Sequence, residues 1–278
     1  VLGHPIGHTL SPVMHQASFR SLGMDALYLA FDVHPDRLMQ VLPAMQAMGF
    51  RGVNLTVPLK EVAFRGLSDL ADTARRLGAV NTVEYRPDGG LRGHNTDGDG
   101  FLAAIEEAFA TRVTGRSLFV LGCGGAGRAV ALTCAAEGAA RITLADIAPE
   151  RARRLADEIG ADPQNRAIVR ACGDQAAEWE AGCREVDFVV HASPIGMKAG
   201  DPSLIGPGAF HAGQMAFDLI YMYPETPFMR TARTGGAKAA NGLGMLLHQG
   251  ARAFTIWTGR PADTGAMRAA LETAVYGP

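Results

Sequence analysis

The chain has 278 residues, near the length at which one hydrophobic core stops growing and chains divide, so two domains are expected. Hydrophobic residues make up 47% of it and charged residues 19%, which is ample for a core, and a net charge of −2 excludes a general pull toward nucleic acid or anionic membrane. No apolar run approaches the ~18 residues a membrane-spanning helix needs, and no charged-then-apolar leader is visible.

The chain opens at "VLGHPIGH", already strand-like and without Met, so a few residues are expected to precede this numbering. "ALYLAFDV" (26–33) and "RGVNLTV" (51–57) read as strands. Between them Leu38, Val41, Leu42, Met45 and Met48 recur at helical spacing, which predicts an amphipathic helix over 35–49 with its methionines as core filler. "GAVNTVEYRPDGGLRGHNTD" (78–97) predicts a hairpin around "PDGG", then a turn into a connector helix from Asp99. "SLFVLGCGGAG" begins a second alternating β/α series that runs to about residue 239, and the helical, apolar tail "GLGMLLHQGARAFTIWTG" (242–259) returns to the first half. The expected fold is therefore α/β: residues 1–100 and 240–278 form a substrate domain, and 101–239 a Rossmann-type dinucleotide domain. A ligand cleft is expected between them, with hinges near 98–101 and 239–242.

The four cysteines, Cys123, Cys134, Cys172 and Cys183, form no C-x-x-C pair and read as free thiols, which fits a cytoplasmic chain. The eight histidines and four cysteines show no metal-ligand cluster, so no metal is expected.

In "LFVLGCGGAGRAVALTCAAEGA", Gly122, Gly124, Gly125 and Gly127 follow a β-run and open a helix. Gly122 permits a tight turn, Gly124 lets the backbone approach a pyrophosphate, and Gly127 permits close strand–helix packing. The helix N-terminus adds N–H groups and positive dipole. Asp146 ends the next strand, "RITLAD". An acid there accepts hydrogen bonds from both ribose hydroxyls of NAD and repels the 2′-phosphate of NADP. It can equally cap the helix that "DIAPERA" begins, and the two roles can coexist. Ile147 offers no charge to a phosphate, though Arg151 could, so NAD is favoured over NADP.

Several polar residues sit oddly at strand ends: Thr9 and Ser11 in "HTLSP", Asn54, Thr56 and Lys60 in "NLTVPLKE", Asn81 in "AVNTV" and Asp97 in "HNTDG". Singly each has a plain reading. Ser11 and Asp97 can cap helices, Asn81 can hold a turn, and Lys60 can be a solvated residue between strand and helix. Together, beside a dinucleotide loop, they suit a polyhydroxylated carboxylate, which needs many directional donors and acceptors. Hydride transfer to a ketone creates an alkoxide that must be protonated as it forms. A lysine oriented by a carboxylate can supply that proton.

These segments resemble the shikimate dehydrogenase family, in its order and over almost the whole chain: "GHPIGHTLSPVMH", "GVNLTVPLKE", "GAVNTV", "GHNTDGDG", "GCGGAGRA", "ASPIGM", "DLIYMYPETPF" and "NGLGMLLHQGARAFTIWTG". The resemblance implies NAD(P)-dependent reduction of 3-dehydroshikimate to shikimate, with Lys60 and Asp97 as the proton-transferring pair. Thr9 and Ser11 would hold the substrate carboxylate, with Tyr221 near it, while Thr56, Asn81, Asp97 and Gln249 would meet the ring hydroxyls. Gly122, Gly124, Gly125, Ala126 and Gly127 would wrap the pyrophosphate, Leu219 and Gly242 would border the nicotinamide, and Met245 would pack beside the substrate. Asp72 aligns with an acidic position that some members place near the cofactor; a surface helix residue is an equal reading.

Three departures matter. Thr9 replaces the family's first serine, "ADIAPERA" replaces the NADP-type "NRTxxRA", and "HASPIGM" puts His191 and Ser193 where Asn and Thr are usual. The first two lean toward an NAD-dependent quinate/shikimate branch; the third reads as a packed, neutral histidine. A non-catalytic metabolite sensor is a further alternative, but it would have no need for the Lys60–Asp97 pair. The expected partner is a small molecule (shikimate, 3-dehydroshikimate or quinate), with no nucleic acid and no membrane; a homodimer is compatible with the sequence.

Overall fold

A computed structural model describes residues 1–7, 9–198 and 200–277. The chain divides into two units, Val1–Gly100 with Leu246–Pro278, and Phe101–Met245.

In the first unit, β1 (Leu2–Gly3) is followed by α1 (Ser11–Ser21), β2 (Phe31–Asp32), α2 (Leu38–Ala47) and β3 (Gly52–Asn54). Next come α3 (Leu59–Gly66), β4 (Asp69–Leu70), α4 (Asp72–Leu77), β5 (Thr82–Tyr85) and β6 (Leu91–His94). β3, β5, β6 and β4 form one sheet in that order, antiparallel except for the β4–β6 edge. β1 and β2 pair in parallel, and β1 joins the larger sheet through a parallel bridge from Leu2 to Leu55 and the Thr56 N–H bond to Leu2 O. Leu2, Leu38, Leu42, Val53, Leu59, Val80 and Val83 fill the core between sheet and helices. The expected hairpin forms around 86–90, with Tyr85 opposite Leu91.

Of the expected strand 26–33, only Phe31–Asp32 enters a ladder. A side chain from α1 takes the backbone groups before it: Gln16 Nε2 donates to Ala26 O and Gln16 Oε1 accepts from Tyr28 N–H.

The connector helix α5 (Asp97–Phe109) begins two residues earlier than expected and carries the chain into the second unit. There β7 (Ser117–Leu121), α6 (Gly125–Ala136), β8 (Arg141–Ala145), α7 (Pro149–Gly160) and β9 (Ile168–Ala171) are followed by α8 (Ala176–Arg184) and β10 (Phe188–His191). β11 (Met215–Asp218), α9 (Pro227–Thr234) and β12 (Lys238–Asn241) complete the unit. The six strands are all parallel in the order β12-β11-β10-β7-β8-β9, a doubly wound Rossmann sheet. Its inner strands β7, β10 and β11 are buried and largely apolar on both faces, as a covered parallel sheet requires. Leu118 and Val120 of β7 point into one core with Ile142, Leu144 and Phe217, while Phe119 and Leu121 point into the other with Trp179, Val189 and Phe228.

α10 (Leu243–Thr258) and α11 (Thr264–Tyr276) end the chain. The return crossing falls at 245/246, inside α10, later than the 239/240 expected from sequence. β12 and the turn after it stay in the second unit because they pair with β11, down to Gly242 N–H on Ile220 O. In the first unit α11 packs on α1, where Asp263 N–H donates to Ser18 Oγ and Ser21 donates to the Asp263 carboxylate. No helix among the described residues is long and apolar enough to cross a membrane.

His15 on α1 is 0% exposed, and neither ring nitrogen has a hydrogen-bond partner among the described residues. It stacks flat on Tyr28 at 4.2 Å. Burial lowers its pKa from 6.5 to about 3. Below 6.5 the unfolded chain takes up a proton that the folded chain refuses. Stability is therefore complete above that value and lost as pH falls from 6.5 toward 3, by up to ~1.4 kcal/mol per pH unit. His15→Leu should remove that portion of the slope in urea unfolding measured at pH 4.5 and 7; an unchanged slope would refute the assignment.

Candidate active site

The "NLTVPLKE" stretch ends one strand and starts a helix. Leu59 N–H bonds back to Thr56 O, so α3 begins after a tight turn and Lys60 sits in its first turn. Asp97 opens α5, where its backbone N–H donates to the Asn95 side chain at 2.9 Å and its charge complements the helix dipole. These starts bring Lys60 Nζ to 2.6 Å from Asp97 Oδ2, with side chains 28% and 15% exposed. The other carboxylate oxygen, Oδ1, accepts from Asn81 Nδ2 at 2.8 Å. Each acidic oxygen thus has its own donor, and the carboxylate cannot swing away from the amine without losing both.

Asn81 is held in turn. Its Oδ1 accepts from Thr96 N–H and from Thr82 Oγ1, each at 2.9 Å. Asn54 Nδ2 donates to Thr82 Oγ1 at 2.9 Å and to Asn81 O at 3.1 Å, and Asn54 Oδ1 accepts from the Tyr28 hydroxyl at 2.5 Å. Burial leaves Tyr28 strongly disfavoured as a phenolate, while its bond to the Ser11 side chain acts the other way. Ser11 lies beside Thr9, with hydroxyl oxygens 3.3 Å apart. A continuous set of polar contacts therefore runs from the Thr9–Ser11 hydroxyls through Tyr28, Asn54, Thr82 and Asn81 to Asp97 and Lys60. Ser11 is the first residue of α1 rather than its cap, which is Leu10.

Thr56 is half-buried, its methyl against Gly3. Gln249 on α10 donates to Leu246 O at 2.8 Å and packs on Gly100, where a Cβ would stand 2.7 Å from the Gln249 backbone nitrogen. Asp72 opens α4 with its side chain 90% exposed and paired to Arg75 at 2.7 Å. It belongs to the first unit, not to the unit that carries the glycine loop.

In the second unit, Gly122 has φ +102°, and a Cβ there would stand 2.7 Å from the Ala192 carbonyl carbon. A Cβ on Gly127 would stand 1.8 Å from Gly122 O. These two glycines are demanded by the protein itself. Gly124 and Gly125 differ: a Cβ at either would enter open space. With glycine as its N-cap, α6 has no side chain covering the N–H groups of Gly125, Ala126 and Gly127. An uncapped helix start behind a bare backbone face fits a dinucleotide diphosphate. Asp146 is 5% exposed; its Oδ2 accepts from Cys123 N–H at 2.8 Å and its Oδ1 from Ala148 N–H at 2.9 Å. Arg151 approaches Oδ1 at 3.9 Å, and Ile147 is 82% exposed beside it. Leu219 and Gly242 meet at the ends of β11 and β12, where a Gly242 Cβ would stand 2.2 Å from Leu219 O. Tyr221 follows in the same unit, its phenol shifted upward by burial.

Reading along the sequence misses Tyr28, Thr82, Thr96 and Asn95 in the first unit, and Asp218 and Thr226 in the second. A tyrosine within an apolar run and an aspartate closing "MAFD" were the available signals, since each needs a buried partner. Among the described residues no cluster of three or more His, Cys, Asp or Glu is placed to hold a metal ion.

A lysine–carboxylate pair in one unit and a glycine-loop Rossmann sheet in the other define a nicotinamide-dependent dehydrogenase. The family profile for the shikimate dehydrogenase substrate binding domain matches residues 1–83 and that for the shikimate 5′-dehydrogenase C-terminal domain matches 242–272. Residues 118–198 match the saccharopine dehydrogenase NADP binding domain. A shikimate dehydrogenase (NADP(+)) of Symbiobacterium thermophilum is 43% identical over 280 residues, covering 100% of this chain and 94% of the relative. Among solved structures, the Thermus thermophilus shikimate 5-dehydrogenase in complex with NADP(H) and shikimate is 39% identical, with TM-score 0.84 over 98% of this chain and 97% of that one. The Corynebacterium glutamicum quinate dehydrogenase in complex with NAD is 30% identical, with TM-score 0.88 over 98% and 97%. The chain belongs to the shikimate dehydrogenase family.

Asn54→Leu keeps the volume but leaves the Tyr28 hydroxyl and Thr82 short of a buried partner. It should lower unfolding free energy in urea by about 1–3 kcal/mol. A change within ~0.5 kcal/mol, the usual range for surface substitutions, would show that this network is not coupled to stability.

Proposed function

We propose that this protein interconverts 3-dehydroshikimate and shikimate with a nicotinamide dinucleotide, and that Lys60 and Asp97 manage the proton. The observation that carries this reading is the ion pair itself, at 2.6 Å, with the second carboxylate oxygen occupied by Asn81. When bound, the dinucleotide supplies or accepts the hydride. In the reducing direction, the Lys60 ammonium donates a proton to the ketone oxygen as negative charge develops on it. Asp97 keeps the amine aimed and stabilises its charged form before transfer. Lys60 is partly exposed, so water reaches Nζ and restores the proton after each turnover.

Thr9 and Ser11 are proposed to hold the substrate carboxylate with paired hydroxyls, and Thr56, Asn81, Asp97 and Gln249 to meet the ring hydroxyls. Tyr221 is assigned near the carboxylate on the family's pattern. In the other unit, Gly122, Gly124, Gly125, Ala126 and Gly127 are proposed to wrap the diphosphate, with Leu219 and Gly242 beside the nicotinamide. The Asp72 assignment to the cofactor draws little support from an exposed carboxylate already paired with Arg75.

The test is turnover and binding in the same preparation. Lys60→Ala should lower kcat by about 10²–10⁴ while shikimate still binds by calorimetry. Near-normal turnover in that variant would end the proposal.

Cofactor choice is a separate, finer reading. Asp146 puts a carboxylate, and Ile147 an exposed aliphatic chain, where a 2′-phosphate would lie. Both disfavour NADP and support NAD, and with it the quinate-oxidising alternative, for which the extra methyl of Thr9 is a further argument. The relatives named for NADP(+) argue the other way, so the rates decide. We expect kcat/KM to be higher with NAD than with NADP in a matrix of shikimate and quinate against both. Ile147→Arg is the informative substitution, because the side chain is exposed and the fold does not depend on it. It should improve kcat/KM for NADP roughly tenfold with little change for NAD. An NADP preference in the unaltered protein would overturn this reading, and absence of quinate oxidation would remove the alternative.

A further inference from the structure

The ends of β10 and β11 carry a run of polar side chains that the proton chemistry above does not use. His191 closes β10 and Asp218 closes β11, and the two are register partners across the parallel pair. His191 Nδ1 lies 2.9 Å from Asp218 Oδ1, and Nε2 lies 2.6 Å from Ser193 Oγ. Asp218 also accepts from Ile220 N–H at 3.1 Å and from Thr226 Oγ1 at 2.6 Å. His191, Asp218 and Thr226 are all at most 2% exposed, and the imidazole lies against Phe228 at 5.1 Å between centroids. A carboxylate only accepts, so Nδ1 carries hydrogen; in the neutral ring Nε2 then accepts the Ser193 hydroxyl.

The order serine, histidine, aspartate is that of a hydrolytic triad, and residue type alone would permit it. Its position points elsewhere. The strand order reverses between β7 and β10, and in doubly wound sheets ligands bind at that crevice. Ser193 stands on its edge: a Cβ on Gly122 of the glycine loop would lie 2.8 Å from Ser193 N. The far end of the chain of bonds, Asp218 with Ile220 and Thr226, fixes the loop after β11, which begins with Leu219. Tyr223 on that loop donates to Met197 O on the other at 3.4 Å, so the two loops are joined twice.

We infer that His191 is a positioning residue for the nicotinamide half of the cofactor, acting through Ser193 and Asp218 to set the spacing of the loops after β10 and β11. The inference rests on the dinucleotide reading above and extends it to a residue that the proton chemistry leaves idle. It distinguishes the two halves of the cofactor. The diphosphate and adenosine are assigned to the glycine loop and β8, whereas both hydrogen bonds of the His191 side chain go to Asp218 and Ser193, at the roots of the loops assigned to the nicotinamide.

The experiment compares two ligands, the reduced dinucleotide and ADP-ribose, which lacks nicotinamide. Binding of the first is followed by its fluorescence and of the second by calorimetry. His191→Phe keeps a ring against Phe228 and removes both bonds, while Asp218 retains Ile220 N–H and Thr226 as donors. It should weaken reduced dinucleotide binding about tenfold, the effect of losing one to two ordinary hydrogen bonds, and leave ADP-ribose within about twofold. His191→Asn restores a donor to Asp218 and should recover most of the loss. Ser193→Ala is half-buried and provides the same split if the first variant fails to fold. Equal weakening of both ligands, or of neither, overturns the inference, as does esterase activity toward p-nitrophenyl acetate that Ser193→Ala abolishes. If the unaltered protein binds neither ligand, it is the dinucleotide reading that fails.

Discussion

The contact between Lys60 and Asp97 constrains most of the first unit, because neither group can be partly buried alone. A charge removed from water costs several kcal/mol unless its remaining hydrogen-bonding positions are filled. Here each carboxylate oxygen of Asp97 meets a donor from a separate piece of chain. Lys60 comes from the first turn of α3 and Asn81 from the residue before β5, while Asn95, just after β6, accepts the Asp97 backbone N–H and holds the start of α5. The β5–β6 hairpin matters chiefly because it delivers Asn81 and Asn95–Thr96 to adjacent positions, and the register of Thr82 opposite His94 sets that delivery. A one-residue slip would turn the asparagine to the other face and leave the carboxylate with one donor.

The Lys60–Asp97 pairing and the strand–loop–helix setting of the glycines were legible in the sequence, while the support beneath them was much less so. Lys60 and Asp97 announced themselves as polar residues at the ends of apolar runs, and the glycine loop by its strand and helix context. Tyr28 gave little sign, because one hydroxyl in "ALYLAFDV" does not disturb an apolar pattern. Yet that hydroxyl links the Ser11 side chain to Asn54, and through it to Asn81. The same segment was read as a long strand. Periodicity reports which faces are apolar, and it cannot show that Gln16 of α1 will take the backbone partners of Ala26 and Tyr28. Element ends were displaced for a similar reason: α5 starts at Asp97, whose backbone N–H is taken by the Asn95 side chain.

Asp146 does not cap α7, whose N-cap is Ala148 without a side-chain bond, yet it has a structural role of its own. Its carboxylate closes the glycine loop by accepting Cys123 N–H, and it orders the next turn by accepting Ala148 N–H. Each oxygen retains further lone-pair capacity, so a ribose hydroxyl can add a bond without displacing either. The structural role nonetheless has a consequence for specificity. An anion required to hold the loop cannot easily be exchanged for a neutral residue to admit a phosphate, whereas the exposed Ile147 can be changed freely.

The two units solve one problem in the same way. In each, a carboxylate sits at the end of a secondary-structure element, takes donors from different loops, and passes directional constraint to a group that faces a ligand. Asp97 does this for Lys60, with Asn81 and Asn95 as its braces. Asp218 does it for His191 and Ser193, with Ile220 and Thr226. The difference lies in burial. The Lys60 and Asp97 side chains keep 28% and 15% exposure, so water reaches that pair, while Asp218 keeps 1%. Burial of that degree suits a fixed geometry rather than a proton that must be exchanged at each turnover. On the proposed function, the same donor-rich carboxylate is a chemical partner where water reaches it and a spacer where water does not.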